Sequence, residues 1–470
     1  MCQQYFDELW RTGGFTRIAR PLLHRAARLL AAAAICTLAH SSIHAQDAKP
    51  PLLTESDAVA IALSHNRDSQ KSALDIQRGN DAIREARSYY FPGFQVHAVA
   101  GYPFQQLQFT LPEGSLGVYP GTGPIPGRNV DITSGNGFQM LALTSIAQPL
   151  SQLYKVRLGV ETAHVQQQMA VALNRDQRNR VTAQTKQVYH QIVSAQESVS
   201  SDGVQIRFLE EALKTTNRYV EQEMALKADS MQLEAALAQQ RLKECHDNNE
   251  LVTYNEQLNL LLGRDLDSPF EVESSQDAST DEIDLSAARE RALRQRQEIR
   301  AADLQIQKAR LDERRETAEY IPDISAQVTY LRLQNLEFLS NNSAVAGFSL
   351  EWQNPWDWGR RSARISALKH VTEQQRLSAE DARQKVLMDV SERLRNLKEA
   401  RLAVTAASTA QEASAEKLRN VTNQYREEQA LLQDVLKQSA DFDQTKASYI
   451  DALQHLWSAR ADFDRALGEE

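Results

Sequence analysis

Residues 90–102 read YFPGFQVHAVAGY, and residues 320–334 read YIPDISAQVTYLRLQ. In each stretch a proline, Pro92 or Pro322, closes a helical pattern, because its ring removes a backbone donor and clashes with the preceding turn. Beyond each proline the residues alternate. After Pro322, Ile324, Ala326, Val328 and Tyr330 fall opposite Ser325, Gln327 and Thr329. After Pro92, Phe94, Val96, Ala98, Ala100 and Tyr102 fall opposite Gln95, His97, Val99 and Gly101. A period of two predicts strands with two different faces. Return strands are predicted over Phe138–Gln148 and Ala344–Gln353; on the latter, Ala344, Ala346, Phe348, Leu350 and Trp352 oppose Ser349, Glu351 and Gln353. Alternating strands of about ten residues suit a transmembrane β-barrel. A small soluble sandwich is the other reading. Four strands per chain cannot close a membrane barrel, and an open edge cannot sit in lipid, so spanning strands require oligomerisation. Three copies would supply twelve strands. Trp352, Trp356 and Trp358 cluster where the fourth strand meets the next helix, which suits a membrane-interface girdle or a packed hydrophobic corner.

The two quoted stretches belong to a tandem repeat, which decides the architecture. At an offset of 230, Ala58 meets Ala288, Ala62 meets Ala292, Leu74 meets Leu304, Ile76 meets Ile306 and Pro92 meets Pro322. Further on the offset is 206: Pro149 meets Pro355, Asn217 meets Asn423, Tyr219 meets Tyr425 and Glu221 meets Glu427. Near the end 205 fits better, with Leu262 on Leu467 and Gly263 on Gly468. The first copy therefore carries an insertion between Pro92 and Pro149. Nine of the 18 glycines and six of the 13 prolines lie from Pro92 to Gly137, so the insertion reads as a long loop and not as added helix.

Around the strands the chain reads as helix. Helical patterns cover 54–90 and 284–319. Leu153 to about Glu223 lacks proline, with only Gly159 and Gly203 as possible interruptions, and Arg360 to about Glu428 lacks both glycine and proline. Seventy helical residues span about 100 Å. Return helices fit Asp229–Leu262 and Asp434–Leu467, and Leu436, Ala440, Ala447, Ile450, Leu453 and Trp457 mark a seam against a neighbouring helix, interrupted by Asp443. The predicted organisation is a signal peptide at 1–45, a first repeat at 46–263 (strand pair 94–148, helical hairpin 153–263), an acidic linker at 264–283, and a second repeat at 284–470 (strand pair 324–353, hairpin 360–468).

The signal peptide is read from Arg11, Arg17, Arg20, Arg25 and Arg28, an apolar run from Leu29 to Ala39, and small residues before Gln46. Cys36 follows Ile35, which does not suit a lipoprotein cleavage site. After removal, Cys245 is the one remaining thiol of Cys2, Cys36 and Cys245, so packing and not disulfides holds the mature chain.

Composition closes off other classes. The 470 residues carry 53 Lys+Arg against 62 Asp+Glu, a formal charge of −9, unlike a general nucleic-acid binder. With a mean hydropathy of −0.51 the chain is not a bundle of membrane helices. The histidines are scattered, no phosphate loop or nucleophile elbow appears, and Cys245 and His246 diverge by about 100° on a helix. No catalytic residue, cofactor or metal ligand is assigned, and the chain does not read as an enzyme. A periplasmic coiled-coil adaptor or stalk would explain the long helices but not two copies of a strand pair interrupting them.

Taken together these features resemble the TolC-like outer-membrane efflux proteins. The resemblance covers residues 52–470. It rests on Leu53-Thr54-Glu55-Ser56-Asp57-Ala58 with Ala62-Leu63 and Asn66, on Ala86-Arg87 before Tyr90-Phe91-Pro92, on Gln148-Pro149-Leu150, and on Asn354-Pro355-Trp356-Asp357-Trp358-Gly359-Arg360-Arg361. It implies a fold that is mainly α with a small β part: the tandem-repeat protomer of a trimeric 12-stranded outer-membrane β-barrel continued by a long periplasmic α-helical barrel. It also implies a passive conduit in the outer membrane of a Gram-negative bacterium, serving tripartite efflux or type I secretion. The partners would be two further copies, a periplasmic adaptor protein, an inner-membrane pump and outer-membrane lipid, with no nucleic acid. By resemblance, Asp434 sits at the periplasmic aperture and Tyr425 helps to hold it closed. Asp229 falls one residue late when counted from Tyr219 and is the weaker aperture candidate. The adaptor-docking tips would be Glu221, Gln222 and Glu223 in one copy and Glu427, Glu428 and Gln429 in the other. The chain departs from the family where tips carry Val-Gly-Leu or Val-Gly-Thr, where a second aperture aspartate is Lys437, and where a tip arginine is Ala430.

Overall fold

The computed structural model describes residues 51–102, 104, 108–133, 137–273, 283–334, 341–352, 356–427 and 429–469. The predicted signal peptide, much of the acidic linker, residues 353–355 and Glu428 lie outside the described residues. In chain order the elements are β1 (Leu52–Leu53), α1 (Glu55–His65), α2 (Arg67–Ser88), β2 (Gly93–Gly101), β3 (Gln108–Leu111), β4 (Val118–Tyr119), β5 (Gly123–Pro124), β6 (Val130–Thr133), β7 (Gln139–Pro149), α3 (Leu153–Glu221) and α4 (Lys227–Leu262). Next come β8 (Glu271–Val272), α5 (Leu285–Gln295), α6 (Gln297–Ala318), β9 (Asp323–Gln334), β10 (Asn342–Glu351), α7 (Arg360–Arg426) and α8 (Leu432–Leu467). Among the described residues two compact units result, a small one with residues 51–52 and Pro269–Glu271, and a large one with Leu53–Ser268 and the chain from Val272 onward. The described helices and the four-stranded sheet of both repeats belong to the large unit.

The repeats share one sheet. Its strand order is β10-β9-β7-β2, antiparallel throughout, so the return strand of the first copy pairs with the outgoing strand of the second. They also share cores. Leu158 and Val165 of α3 pack with Leu304, Leu311 and Ala318 of α6. Ile206 and Leu209 of α3 pack with Leu233 and Leu237 of α4 and with Leu432 and Leu436 of α8. A third cluster belongs to the second copy alone and joins Ala292 of α5 and Ile299 of α6 to Val390 and Leu397 of α7 and to Phe463 of α8.

Each opening helical segment, read from sequence as continuous, is broken. Asn66 separates α1 from α2, with its Oδ1 accepting from Asp68 N at 2.9 Å and Ser69 N at 3.2 Å. Arg296 separates α5 from α6 with extended backbone, φ −63° and ψ 125°. The breaks meet the ends of the return helices: Asn66 Nδ2 donates to Leu261 O at 3.1 Å and Arg296 Nη1 to Ala466 O at 3.2 Å. Gly263 and Gly468 end those helices in the left-handed region, at φ 68° and 85°. Neither proline nor glycine marks the breaks, so the helical period concealed them. Tyr189 ties the start of the unit to α3. Its hydroxyl lies 3.0 Å from Leu53 O and accepts from Glu273 N at 3.1 Å.

Other boundaries differ from the sequence reading for local reasons. Gly159 and Gly203 lie inside α3 without interrupting it. The insertion is not helical, but it carries the pairs β3–β6 and β4–β5, and its Gly114, Gly117, Gly121 and Gly123 all take positive φ. On α8 the buried line runs through Val435, Ser439, Ile450, Ala452, Leu456 and Phe463, while Ala440 of the predicted seam is exposed. The helix packs against α3 and α7 together, which a single heptad line does not describe.

Candidate functional site

In its half nearest the long helices the sheet sorts most of its side chains by chemistry. Cross-strand register places Phe94, Ile146, Val328 and Ala346 in one row and Val96, Thr144, Tyr330 and Ala344 in the next on the same face. Ala326 and Phe348, then Ile324 and Leu350, continue that face. The opposite face has Gln95, Ser145, Thr329 and Val345 in one row, with Gln327 and Ser325 toward the helices and a row of His97, Leu143, Leu331 and Ser343 away from them. The apolar face is uncovered: Phe348 is 79% exposed, Phe94 66% and Val328 50%. Strands β2 and β10 form the edges. Among the described residues neither edge strand pairs with a further strand, and an exposed apolar face beside such edges marks a surface for association.

Where strands meet long helices, Ser151 joins the copies. Its Oγ donates to Pro322 O at 2.7 Å and accepts from Ile324 N at 2.8 Å. Lys155 Nζ lies 2.7 Å from Asp323 Oδ1 and 3.1 Å from Glu319 Oε2. Trp352 lies just past β10 and not within it. Trp352, Trp356 and Trp358 are 52%, 83% and 98% exposed, so they form no packed corner in this chain. Among the described residues, no helix is long and apolar enough to cross a membrane.

At the other end of the long helices, two turns share one backbone pattern. In the first, Gln222 N donates to Arg218 O and Met224 N to Tyr219 O; in the second, Glu427 N donates to Asn423 O and Gln429 N to Gln424 O. The offset here is 205, so the counterpart of Tyr219 is Gln424, not Tyr425. The same offset carries Asp229 onto Asp434. Each aspartate is the third residue of its return helix, accepting from a leucine N–H, Leu226 or Leu431, at 3.2 Å. Asp229 is therefore the structural equal of Asp434, and its apparent one-residue displacement comes from pairing Tyr219 with Tyr425 instead of with Gln424. Glu221, Gln222, Glu223, Glu427 and Gln429 are exposed at the turns. Glu223 takes φ 58°, a conformation usually given to glycine.

Tyr425 is half-buried between the copies. Burial pushes its phenol above the usual range, a hydrogen bond with Thr216 pulls it back, and Tyr219 and Asp229 push it up further. Thr216 is 2% exposed on α3. The structure thus brings together Tyr425, Thr216 and Asp229, whereas Asp434 is exposed at the start of α8. Thr216 was missed in the sequence, where a threonine inside a polar helical stretch carries no signal of its partner.

No protein-family model matches the chain, and no curated protein does. Solved structures do. The CmeC outer-membrane channel of Campylobacter jejuni superposes with a TM-score of 0.72 at 14% identity, covering 88% of this chain and 85% of that one. The outer-membrane protein VceC of Vibrio cholerae gives 0.69 at 13%, covering 88% and 96%. The open state of the MtrE outer-membrane channel of Neisseria gonorrhoeae gives 0.67 at 18%, covering 88% and 89%. The fold is that of an outer-membrane channel. In this channel fold the sheet and the helical turns occupy opposite ends of α3 and α7, because each long helix begins just after a strand and ends at a turn.

Proposed function

We propose that three copies of this chain close a twelve-stranded barrel in the outer membrane of a Gram-negative bacterium and continue it as a helical tunnel through the periplasm, acting as a passive conduit for efflux or secretion. The observation that carries this reading is the four-stranded sheet with an uncovered apolar face and two unpaired edges. Lipid satisfies the face, and pairing of β10 with β2 of the next copy satisfies the edges. The polar face then lines the lumen. Trp352, Trp356 and Trp358 stand at the periplasmic interface of the bilayer. The turns at 221–226 and 427–431 dock an adaptor protein that joins the conduit to an inner-membrane pump. Asp434, Asp229 and Tyr425 form the aperture, where a ring of carboxylates favours cations. Likeness to the channel structures and the TolC-like sequence features support the same reading.

Purification from outer membranes in detergent, followed by planar-bilayer recording, tests it. The expected result is a trimer giving discrete, long-lived openings. A folded chain that is never membrane-extracted and never inserts would instead make it a periplasmic stalk or adaptor.

A further inference from the structure

Midway along the helical hairpins, α3, α4 and α8 bring acids together around two lysines. Asp202 of α3 is 1% exposed. Its Oδ1 lies 2.6 Å from Lys243 Nζ of α4 and accepts from Gln240 Nε2 at 2.9 Å. The same Lys243 Nζ lies 3.8 Å from Asp247 Oδ2, one turn further along α4. One ammonium is therefore shared by two carboxyl groups, the first of them fully buried. Asp443 of α8 interacts by charge with Asp202, Lys243 and Lys446. Lys446 Nζ also lies 3.5 Å from Glu197 Oε1 of α3. A cavity of about 190 Å³ between the three helices is lined in part by Lys243, Asp247, Glu250 and Tyr254, with Asp451 on its α8 side.

Lys243 and Gln240 both serve Oδ1 of Asp202, and its Oδ2 has no N–H or hydroxyl donor. A buried carboxylate oxygen left open is costly. The Asp247 carboxyl lies within hydrogen-bonding reach of the Asp202 carboxylate. Two ionised carboxylates can only accept, so that contact is repulsive unless one of them carries a proton. A proton on Asp247 turns it into the donor that Asp202 Oδ2 lacks. Asp247 is the one to carry it, because the short contact with Lys243 and the bond from Gln240 hold Asp202 ionised. Burial first, and then the hydrogen bond and charge of Asp202, push the Asp247 carboxyl to about 6; Lys243 opposes the rise and Glu250 adds to it. Burial pushes Asp443 to about 6 as well, with Lys243 and Lys446 opposing and Asp202 assisting.

We propose that Asp202 and Asp247 share one proton in the folded chain, and that its release loosens α4 from α3, making the junction a pH-sensitive latch in the helical hairpins. The folded chain holds this proton more tightly than the unfolded chain does. The latch is therefore fully closed below about pH 4, the ordinary carboxyl range, and opens as the pH rises through about 6. Once it is open, the charges of Asp202, Asp247, Glu250, Asp443 and Asp451 outnumber those of Lys243 and Lys446, with Glu197 already beside Lys446. Repulsion then acts between α4 and both helices packed near it. The polar cavity gives water, and so protons, a route to Asp247.

Hydrogen exchange on the full chain in detergent tests the latch. Protection of the α4 amides over 240–254 is compared at about pH 5 and about pH 7.5, corrected for intrinsic exchange. In the parent, protection is expected to fall by about tenfold at the higher pH. Asp247→Asn keeps a donor for Asp202 at every pH and is expected to hold protection level. Asp443→Asn is expected to keep the fall. The infrared carbonyl band of a protonated carboxyl is a second readout, expected to titrate away near pH 6 in the parent and to be weaker in Asp247→Asn. Parent protection that does not change with pH, or a parent without that band at the lower pH, would overturn the latch. So would an Asp247→Asn chain that keeps the whole fall, or a fall abolished by Asp443→Asn alone. None of these outcomes depends on conductance, so the latch and the conduit stand or fall separately.

Discussion

At Asp434 one carboxylate has two roles that substitution can separate. It accepts from Leu431 N, securing the first turn of α8, and its charge faces the proposed aperture. Alanine would remove both roles, at a cost of about 1 kcal/mol for the lost cap. Asparagine keeps an acceptor and removes the charge. Because Asp229 has the same geometry in the other copy, the informative variant is the pair Asp434→Asn with Asp229→Asn. It is predicted to fold as the parent does and to lose cation selectivity, read as a shifted reversal potential under a salt gradient. A reversal potential equal to the parent's would remove both residues from the aperture. Asp434 was singled out in the sequence by its likeness to the family. The equivalence of Asp229 was obscured there by pairing Tyr219 with Tyr425, although the offset of 205 nearer the chain end carries Asp229 onto Asp434.

The helix breaks show what an element needs beyond its own propensity. Nothing in the composition of 54–90 stops a helix at Asn66. The break forms because the chain docks there against the left-handed end of α4. A Cβ on Gly263 would lie 2.5 Å from His65 O, while one on Gly468 would lie 3.1 Å from the Gln295 carbonyl carbon. Both glycines also avoid the left-handed penalty of about 1–2 kcal/mol for other residues. Gly263→Ala is therefore predicted to destabilise the chain by about 3 kcal/mol and Gly468→Ala by about 2 kcal/mol. Denaturant midpoints check the order. Equal midpoints for parent and Gly263→Ala would mean that the junction is loose. The glycines were visible in the sequence as repeat partners, but what they approach was not.

For the whole molecule the faces of the sheet are decisive. Val328 lies in the apolar row with Ile146, and its neighbour Thr329 lies in the polar row with Ser145. If the apolar face meets lipid, Val328→Arg costs about 2–4 kcal/mol of insertion energy at the mid-plane, and Thr329→Arg costs little. Outer-membrane fractionation should show Val328→Arg depleted and Thr329→Arg retained. Equal insertion of the two would argue against this orientation. The duplication, the long helices, the alternating strands and their two faces were all readable along the chain, because they are periodic local properties that side-chain spacing records directly. The joining of the copies edge to edge in one sheet, the ends of α1 and α5 and the meeting of Thr216 with Tyr425 came only with the folded chain. They depend on which surfaces meet across about 200 residues of chain, and no local period carries that information.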